Sequence, residues 1–99
     1  MSDLKGKAAL ITGGSRGIGA AIVQRLAADG AAVAINYRMR ADAAGKIAAD
    51  IAANGGRAIT VRGDVSVPED VRSMVDETVE RLGGLDILVS NAGIEPAHG

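Results

Sequence analysis

Four short apolar segments alternate with three longer segments whose apolar residues recur at helical spacing, and this alternation limits the possible folds most strongly. The apolar segments are residues 7–12, 31–37, 57–62 and 85–90, and the helical segments begin near residue 17, at residue 41 and after residue 66. Parallel neighbours in a sheet need a long connection between them, and helices usually supply it. The order therefore predicts an α/β fold with four parallel strands and three helical crossovers.

The handedness of the crossovers predicts how the layers are arranged. If the first three strands step in one direction, right-handed crossovers put the first two helices on one face of the sheet. A reversal that places the fourth strand beside the first puts the third helix on the other face. The predicted strand order is 3-2-1-4, and the reversal opens a crevice at the carboxyl ends of the strands.

The third helical segment carries a start signal of its own. The sequence Ser-Val-Pro-Glu at residues 66–69 predicts a capping box at the beginning of this helix. Its predicted apolar stripe consists of Val71, Met74, Val75, Val79 and Leu82.

Charge and composition argue against several functional classes. Eleven basic and twelve acidic residues give a net charge of -1 with no basic stripe, so we expect no nucleic acid partner. The chain has no cysteine and a single histidine, His98, so we expect no metal site. No apolar run approaches the roughly 18 residues of a membrane span, and the N-terminus has no signal-peptide pattern. We therefore expect residues 1–99 to form a single domain of a cytoplasmic protein, without a membrane partner.

Residues 12–19, Thr-Gly-Gly-Ser-Arg-Gly-Ile-Gly, join the first strand to the first helix. Backbone N–H groups and the helix dipole attract phosphate at a helix N-terminus, and glycines let the phosphate approach. We interpret Gly13 as the sharp exit from the strand, Gly17 as the point of close pyrophosphate approach, and Gly19 as the contact between helix and sheet. The alternative is a flexible turn without a ligand. The position of the loop, between a buried strand and an amphipathic helix, favours cofactor binding.

Three landmarks together resemble the short-chain dehydrogenase/reductase family: the spacing Thr-Gly-x-x-x-Gly-x-Gly, Asp64-Val65 after the third strand, and Asn91-Ala92-Gly93 after the fourth. The resemblance covers the whole chain, and within the family it is most similar to 3-oxoacyl-acyl-carrier-protein reductases of the classical group. It implies a Rossmann-like, three-layer, doubly wound sheet, here truncated.

The resemblance also implies a nicotinamide dinucleotide as ligand. Residues 12–19 would hold its phosphates, residues 64 and 65 would contact the adenine, and residues 91–93 would line the ribose region. The alternatives are that Asp64 is only a turn-forming residue and that Asn91 only bonds backbone at a strand end. The complete expected cofactor-binding set is Gly13, Ser15, Arg16, Gly17, Ile18, Gly19, Asn36, Tyr37, Arg38, Asp64, Val65, Asn91, Ala92 and Gly93.

The end of the second strand bears on the choice of cofactor. NAD-selective sites of this fold place an acidic residue there, whereas this chain has Asn36-Tyr37-Arg38 and no carboxylate before Asp42. Arg16 and Arg38 could converge on a 2'-phosphate, which predicts NADP(H) in preference to NAD(H). The alternative is that both arginines are ordinary solvated charges.

Carbonyl reduction in the family uses a serine, a tyrosine and a lysine four positions after that tyrosine. Tyr37 is the only tyrosine and Ala41 stands where the lysine would be, so we predict no catalytic residue in this chain. A full-length parent would be an NADP-dependent oxidoreductase acting on a small carbonyl or alcohol substrate. The alternatives are a non-catalytic nucleotide-binding module and, less favoured, a structural protein. A hydrolase using Ser90 and His98 is disfavoured because no glycine-flanked elbow surrounds the serine.

The sequence ends shortly after the fourth predicted strand. We therefore expect the catalytic C-terminal half of the fold to be absent. We also expect Ile87 and Val89 to be exposed and the chain to be either marginally stable or self-associating.

Overall fold

The computed structural model describes residues 3–15 and 17–91, and the elements in these ranges alternate as predicted. The strands are β1 (Ala8–Thr12), β2 (Ala32–Tyr37), β3 (Ala58–Arg62) and β4 (Ile87–Ser90). The helices are α1 (Gly17–Ala28), α2 (Ala41–Ala53) and α3 (Pro68–Leu82). The four strands form one parallel sheet in the order β3-β2-β1-β4, which confirms the predicted doubly wound α/β topology.

Two apolar clusters hold the helices to opposite faces of this sheet. On one face, Ile11 and Ile35 of the sheet pack with Val23 of α1 and Ile47 of α2. On the other face, Leu10, Ala34 and Val61 pack with Met74 and Leu82 of α3. All five residues of β1 are buried, as expected of a strand covered on both faces. The predicted three-layer arrangement is confirmed.

The predicted capping box at the start of α3 is wrong. The helix begins at Pro68, whose ring nitrogen has no hydrogen to satisfy, and the preceding Val67 makes no side-chain cap. The hydroxyl of Ser66 donates instead to Asp64 Oδ1 at 2.7 Å. Ser66 thus closes the turn before the helix and does not cap the helix itself.

The predicted apolar stripe of α3 is wrong at one position. Thr78 is fully buried between Met74 and Leu82, whereas Val79 is exposed. Residues 74, 78 and 82 lie four apart and therefore share one helix face. Thr78 can occupy a core position because its hydroxyl donates to the Met74 carbonyl oxygen at 2.7 Å.

The expectation that Ile87 and Val89 are exposed is also wrong. Both are half-buried and pack against the cluster beneath α1 and α2, because alternate residues of a strand face the same side of the sheet. Leu88 points to the opposite face and is 56% exposed. No helix in the described part of the chain is long and apolar enough to cross a membrane.

Candidate functional site

The carboxyl ends of all four strands lie at one edge of the sheet, because the strands are parallel. The segments that follow them are the glycine loop after β1, residues 38–40 after β2, residues 63–67 after β3 and Asn91 after β4. In doubly wound sheets the crevice at this edge is the usual ligand site. The topology thus brings predicted site residues within the described ranges, from four separate segments, to this one edge of the sheet.

The backbone of the glycine loop turns sharply at Gly13, as predicted, and takes the same left-handed conformation at Gly17. Gly13 and Gly17 have φ values of 63° and 61°, in the left-handed region that favours glycine. Apart from its chain neighbours and the backbone of its own helix, a Cβ atom added to Gly17 would meet no atom within 4 Å, so the space beside the start of α1 is open. A side chain at this position would fill the space that a ligand could enter.

Gly19 and Gly14 have a packing role. A Cβ added to Gly19 would overlap the carbonyl oxygen of Gly13 and lie 2.6 Å from Asn91 Nδ2. A Cβ added to Gly14, which sequence reasoning did not single out, would lie 3.0 Å from Val23 Cγ2. The first turn of α1 therefore packs directly on the backbone of the loop.

Asn36 is predicted to contact the cofactor, but the structure places its side chain beneath the loop, with only 2% of the residue exposed. Its Oδ1 accepts a hydrogen bond from the Gly13 N–H at 2.9 Å. Its Nδ2 lies 3.1 Å from the Gly63 carbonyl oxygen, 3.2 Å from that of Val61 and 2.9 Å from the Met74 sulfur. The Asn36 side chain therefore links the glycine loop to the end of β3 and to α3.

Asn91 joins the end of β4 to the same glycine. Its Nδ2 donates to the Gly13 carbonyl oxygen at 3.2 Å, and its backbone N–H donates to Thr12 Oγ1 at 2.9 Å. The Thr12 hydroxyl donates in turn to the Val89 carbonyl oxygen at 3.3 Å. Asn91 thus bonds backbone, as in the alternative interpretation of the sequence, and fixes the loop beside the sheet.

Asp64 combines a turn-forming role with an ion pair. Its Oδ1 accepts from the backbone N–H and the hydroxyl of Ser66, at 2.9 and 2.7 Å, and its Oδ2 lies 3.5 Å from Arg38 Nε. The Ser66 hydroxyl, then the Ser66 N–H and more weakly Arg38, hold the pKa of Asp64 below its ordinary value. The Asp64 N–H donates to Asp70 Oδ2 at 2.9 Å.

A cavity of about 470 Å³ opens beside Arg38 and Asp64, at the carboxyl ends of β2 and β3. Its lining consists of Arg38, Met39, Arg62, Gly63, Asp64, Asp70 and Ser73. Sequence reasoning missed Arg62 and Asp70. Arg62 ends the third predicted strand as Tyr37 ends the second, and this shared position at a strand end is the sequence signal that could have found Arg62. A second cavity, of about 940 Å³, lies at the opposite, amino ends of the strands and is remote from the glycine loop.

The other predicted site residues differ in exposure. Ile18 and Val65 are exposed, and Ser15 is half-buried. Tyr37 packs against the cluster beneath α1 and α2, and its carbonyl oxygen accepts from the Gly63 N–H at 3.0 Å. Arg16, Ala92, Gly93 and His98 lie outside the described residues. Among the described residues, no group of three or more acidic, histidine or cysteine side chains could hold a metal ion.

A doubly wound parallel sheet with a glycine loop at its switch point defines a class of nucleotide-binding α/β proteins. The family model described as short chain dehydrogenase matches residues 7–99. This chain belongs to that family, as its motifs predicted.

Comparison with individual proteins agrees with this assignment. A short chain dehydrogenase from Burkholderia cenocepacia, solved in complex with NADP, is 57% identical with a TM-score of 0.89, and the match covers 97% of this chain and 39% of that one. A 3-oxoacyl-[acyl-carrier-protein] reductase of Synechocystis is 43% identical over 95% of this chain and 38% of its own. An L-rhamnose 1-dehydrogenase (NAD(P)(+)) of Sphingomonas is 47% identical over 99% of this chain and 39% of its own. The chain thus spans little more than a third of the length of these relatives.

Proposed function

We propose that this chain is the NADP(H)-binding part of an oxidoreductase that moves hydride between a nicotinamide and a carbonyl or alcohol carbon. Membership of the short chain dehydrogenase family supports an oxidoreductase. The observation that carries the proposal for this chain is the open space beside Gly17 at the start of α1, with the loop fixed through Gly13.

The residues present fit a dinucleotide. A pyrophosphate beside Gly17 would occupy space that a Cβ would fill, and it would face the N-terminus of α1, where backbone amides and the helix dipole favour negative charge. Both amide side chains near the loop, Asn36 and Asn91, bond Gly13. Asp64 and Val65 would hold the adenine at the other end of the crevice. The nicotinamide, when bound, supplies or accepts the hydride.

The proposed preference for NADP(H) is supported by Arg38. Its side chain is 70% exposed and lines the cavity beside β3, and its ion pair with Asp64 is long, at 3.5 Å. An arriving 2'-phosphate would carry more charge than a carboxylate and would compete for the guanidinium. A charge-assisted hydrogen bond contributes about 1.5–3 kcal/mol, or roughly ten- to hundred-fold in affinity. We propose Arg16 of the glycine loop as the second cation.

A non-catalytic binding module is the second candidate, and one observation favours it. The only tyrosine, Tyr37, is half-buried against the core and is followed four positions later by Ala41, which has no amine. The 99 residues therefore hold no tyrosine and lysine pair to donate a proton to a carbonyl oxygen. Both candidates use the same binding residues and differ only in whether a proton donor is supplied from outside this chain.

Calorimetric titration of the chain with NADPH and with NADH tests the proposal. We expect NADPH to bind at least about ten-fold more tightly than NADH. Gly17→Ala, which puts a Cβ atom into the open space, is expected to weaken binding of both, whereas Gly55→Ala, at another glycine with positive φ (86°) and open space around it, should leave both unchanged. Absence of binding by the wild-type chain would contradict the proposed function, and equal affinities would contradict the cofactor preference.

A further inference from the structure

We infer that Asn36 is a positioning residue that sets the spacing between the two halves of the cofactor site. The phosphate-binding half is the glycine loop, and the adenosine-binding half is the segment that carries Asp64. The inference rests on the proposed function. Asn36 is 2% exposed, so it would act on a ligand through the backbone of Gly13 and Gly63.

The contacts of Asn36 run in two directions. On one side its Oδ1 accepts from the Gly13 N–H at 2.9 Å, and its own backbone carbonyl accepts from the Gly14 N–H at 3.0 Å. On the other side its Nδ2 lies within 3.2 Å of the carbonyl oxygens of Val61 and Gly63, where β3 ends and the segment carrying Asp64 begins. Within residues 3–15 and 17–91, no other side chain bonds both the glycine loop and the end of β3.

Because Asn36 is buried, loss of any of these hydrogen bonds would leave a polar group without a partner. Asn36 is 2% exposed, so water cannot replace a lost partner without entering the core. The site needs an acceptor facing Gly13 and donors facing two carbonyl oxygens, and a primary amide supplies both at once. An aspartate would place an oxygen against the carbonyls of Val61 and Gly63, and a leucine would leave the Gly13 N–H without its acceptor.

Gly13 needs such support because it has no side chain of its own and has a φ of 63°. Asn36, in β2, accepts a hydrogen bond from the Gly13 N–H, and Asn91, after β4, donates one to the Gly13 carbonyl oxygen. The peptide groups on either side of Gly13 are thus fixed from two strands. Of these two side chains, only Asn36 also bonds the segment after β3, so its amide couples that segment to the loop in addition to the backbone pairing of β2 with β3.

This role predicts different effects on ligands of different length. NADPH and NADH span both halves of the site, whereas adenosine 2'-monophosphate occupies only the adenosine half. Asn36→Ser is expected to weaken both dinucleotides by about the same factor, near ten-fold, and adenosine 2'-monophosphate by less than about three-fold. A variant that merely lowered the folded fraction would weaken all three ligands equally.

Calorimetric titration of the 99-residue chain with these three ligands is the test, with Asn54→Ser as the matched control. Asn54 is exposed and its Nδ2 donates to the Asp50 carbonyl oxygen at the end of α2, so its loss should change no affinity. Equal losses for all three ligands in Asn36→Ser, or no loss, would overturn the inference while leaving the proposed function standing. Failure of the wild-type chain to bind either dinucleotide would instead contradict the proposed function.

Hydrogen exchange on the wild-type chain keeps the inference testable if Asn36→Ser does not fold. The Gly13 amide, held by a buried acceptor, should exchange much more slowly than the Gly17 amide beside the open space. Equal exchange rates at the two glycines would show that Asn36 does not hold the loop and would overturn the inference.

Discussion

The carbonyl oxygen of Gly13 occupies the place where the first side-chain carbon of any larger residue at position 19 would lie, so Gly19 packs directly on the loop backbone. The obstacle is backbone and cannot rotate away as the end of a flexible side chain could. Helix α1 can approach the sheet this closely only with glycine at position 19. This contact sets the distance between the first turn of α1 and the glycine loop.

Gly19→Ala is therefore expected to destabilise the fold by about 1–3 kcal/mol, the usual cost of overpacking. Gly45→Ala is the matched control, because Gly45 also lies in a helix but an added Cβ there meets no atom within 4 Å. The control should stabilise the fold by roughly 0.5–1 kcal/mol, since alanine is the better helix residue. Urea unfolding measures both, and a Gly19→Ala midpoint at or above wild type would contradict the packing argument.

The sequence predicted the sheet order, the sharp exit from the strand at Gly13 and the close packing of Gly19, because these depend on local patterns. The predicted approach of a pyrophosphate at Gly17 stays a prediction. Every strand and helix in the described residues begins within two residues of its predicted start, and α2 begins at the predicted residue 41. Gly13 and Gly17 lie in a contiguous motif, so their left-handed conformations could be inferred from spacing.

The role of Asn36 could not be predicted in the same way. Its partners Gly13, Val61, Gly63 and Met74 lie 23 to 38 positions away along the chain, so only the tertiary fold brings them together. Its position at the end of β2 favoured a cofactor contact, but its side chain points into the core. Ser66 was misassigned for a related reason, because a nearby carboxylate, Asp64, competes for its hydroxyl.

Removal of the Arg38 charge tests the cofactor preference. Arg38→Gln is expected to weaken NADPH binding by roughly ten- to hundred-fold and NADH binding by much less, because only NADPH carries the 2'-phosphate. Arg40→Gln is the matched control, since the Arg40 side chain is also largely exposed in the same loop, at 57% against 70% for Arg38, and pairs with Asp42. Calorimetric titration of both variants with both cofactors measures the effect, and equal losses in the two variants would point to general charge attraction instead.

The Ser66 hydroxyl should control the ionisation of Asp64. Ser66→Ala removes the largest cause of the lowered pKa of Asp64, so that pKa should rise toward its ordinary value. A lowered folded-state pKa stabilises the fold above the unfolded value, near pH 4, and this stabilisation is lost as pH falls through the folded value. The stability deficit of Ser66→Ala should therefore be present at pH 7 and shrink below about pH 4.

Carboxyl chemical shifts recorded across an acid titration measure the pKa of Asp64 directly. Ser73→Ala is a suitable control, because Ser73 lines the same cavity but is not among the groups that lower this pKa. An unchanged Asp64 titration in Ser66→Ala would contradict the assignment of the hydroxyl as its main cause.

Leu88 provides a test of the predicted self-association. It lies beside the buried Leu10 in the β1–β4 pairing but is 56% exposed, because α3 packs against β1, β2 and β3 and leaves this part of β4 uncovered. Exposed apolar side chains on an outer strand favour pairing with a second copy. Leu88→Lys is expected to shift the 99-residue chain toward monomer in sedimentation velocity runs over a range of concentrations.

Met39→Lys, which removes another exposed apolar side chain far from β4 in the sheet order, should leave the association unchanged. A wild-type chain that sediments as a single monomeric species at all concentrations would show that β4 does not drive association.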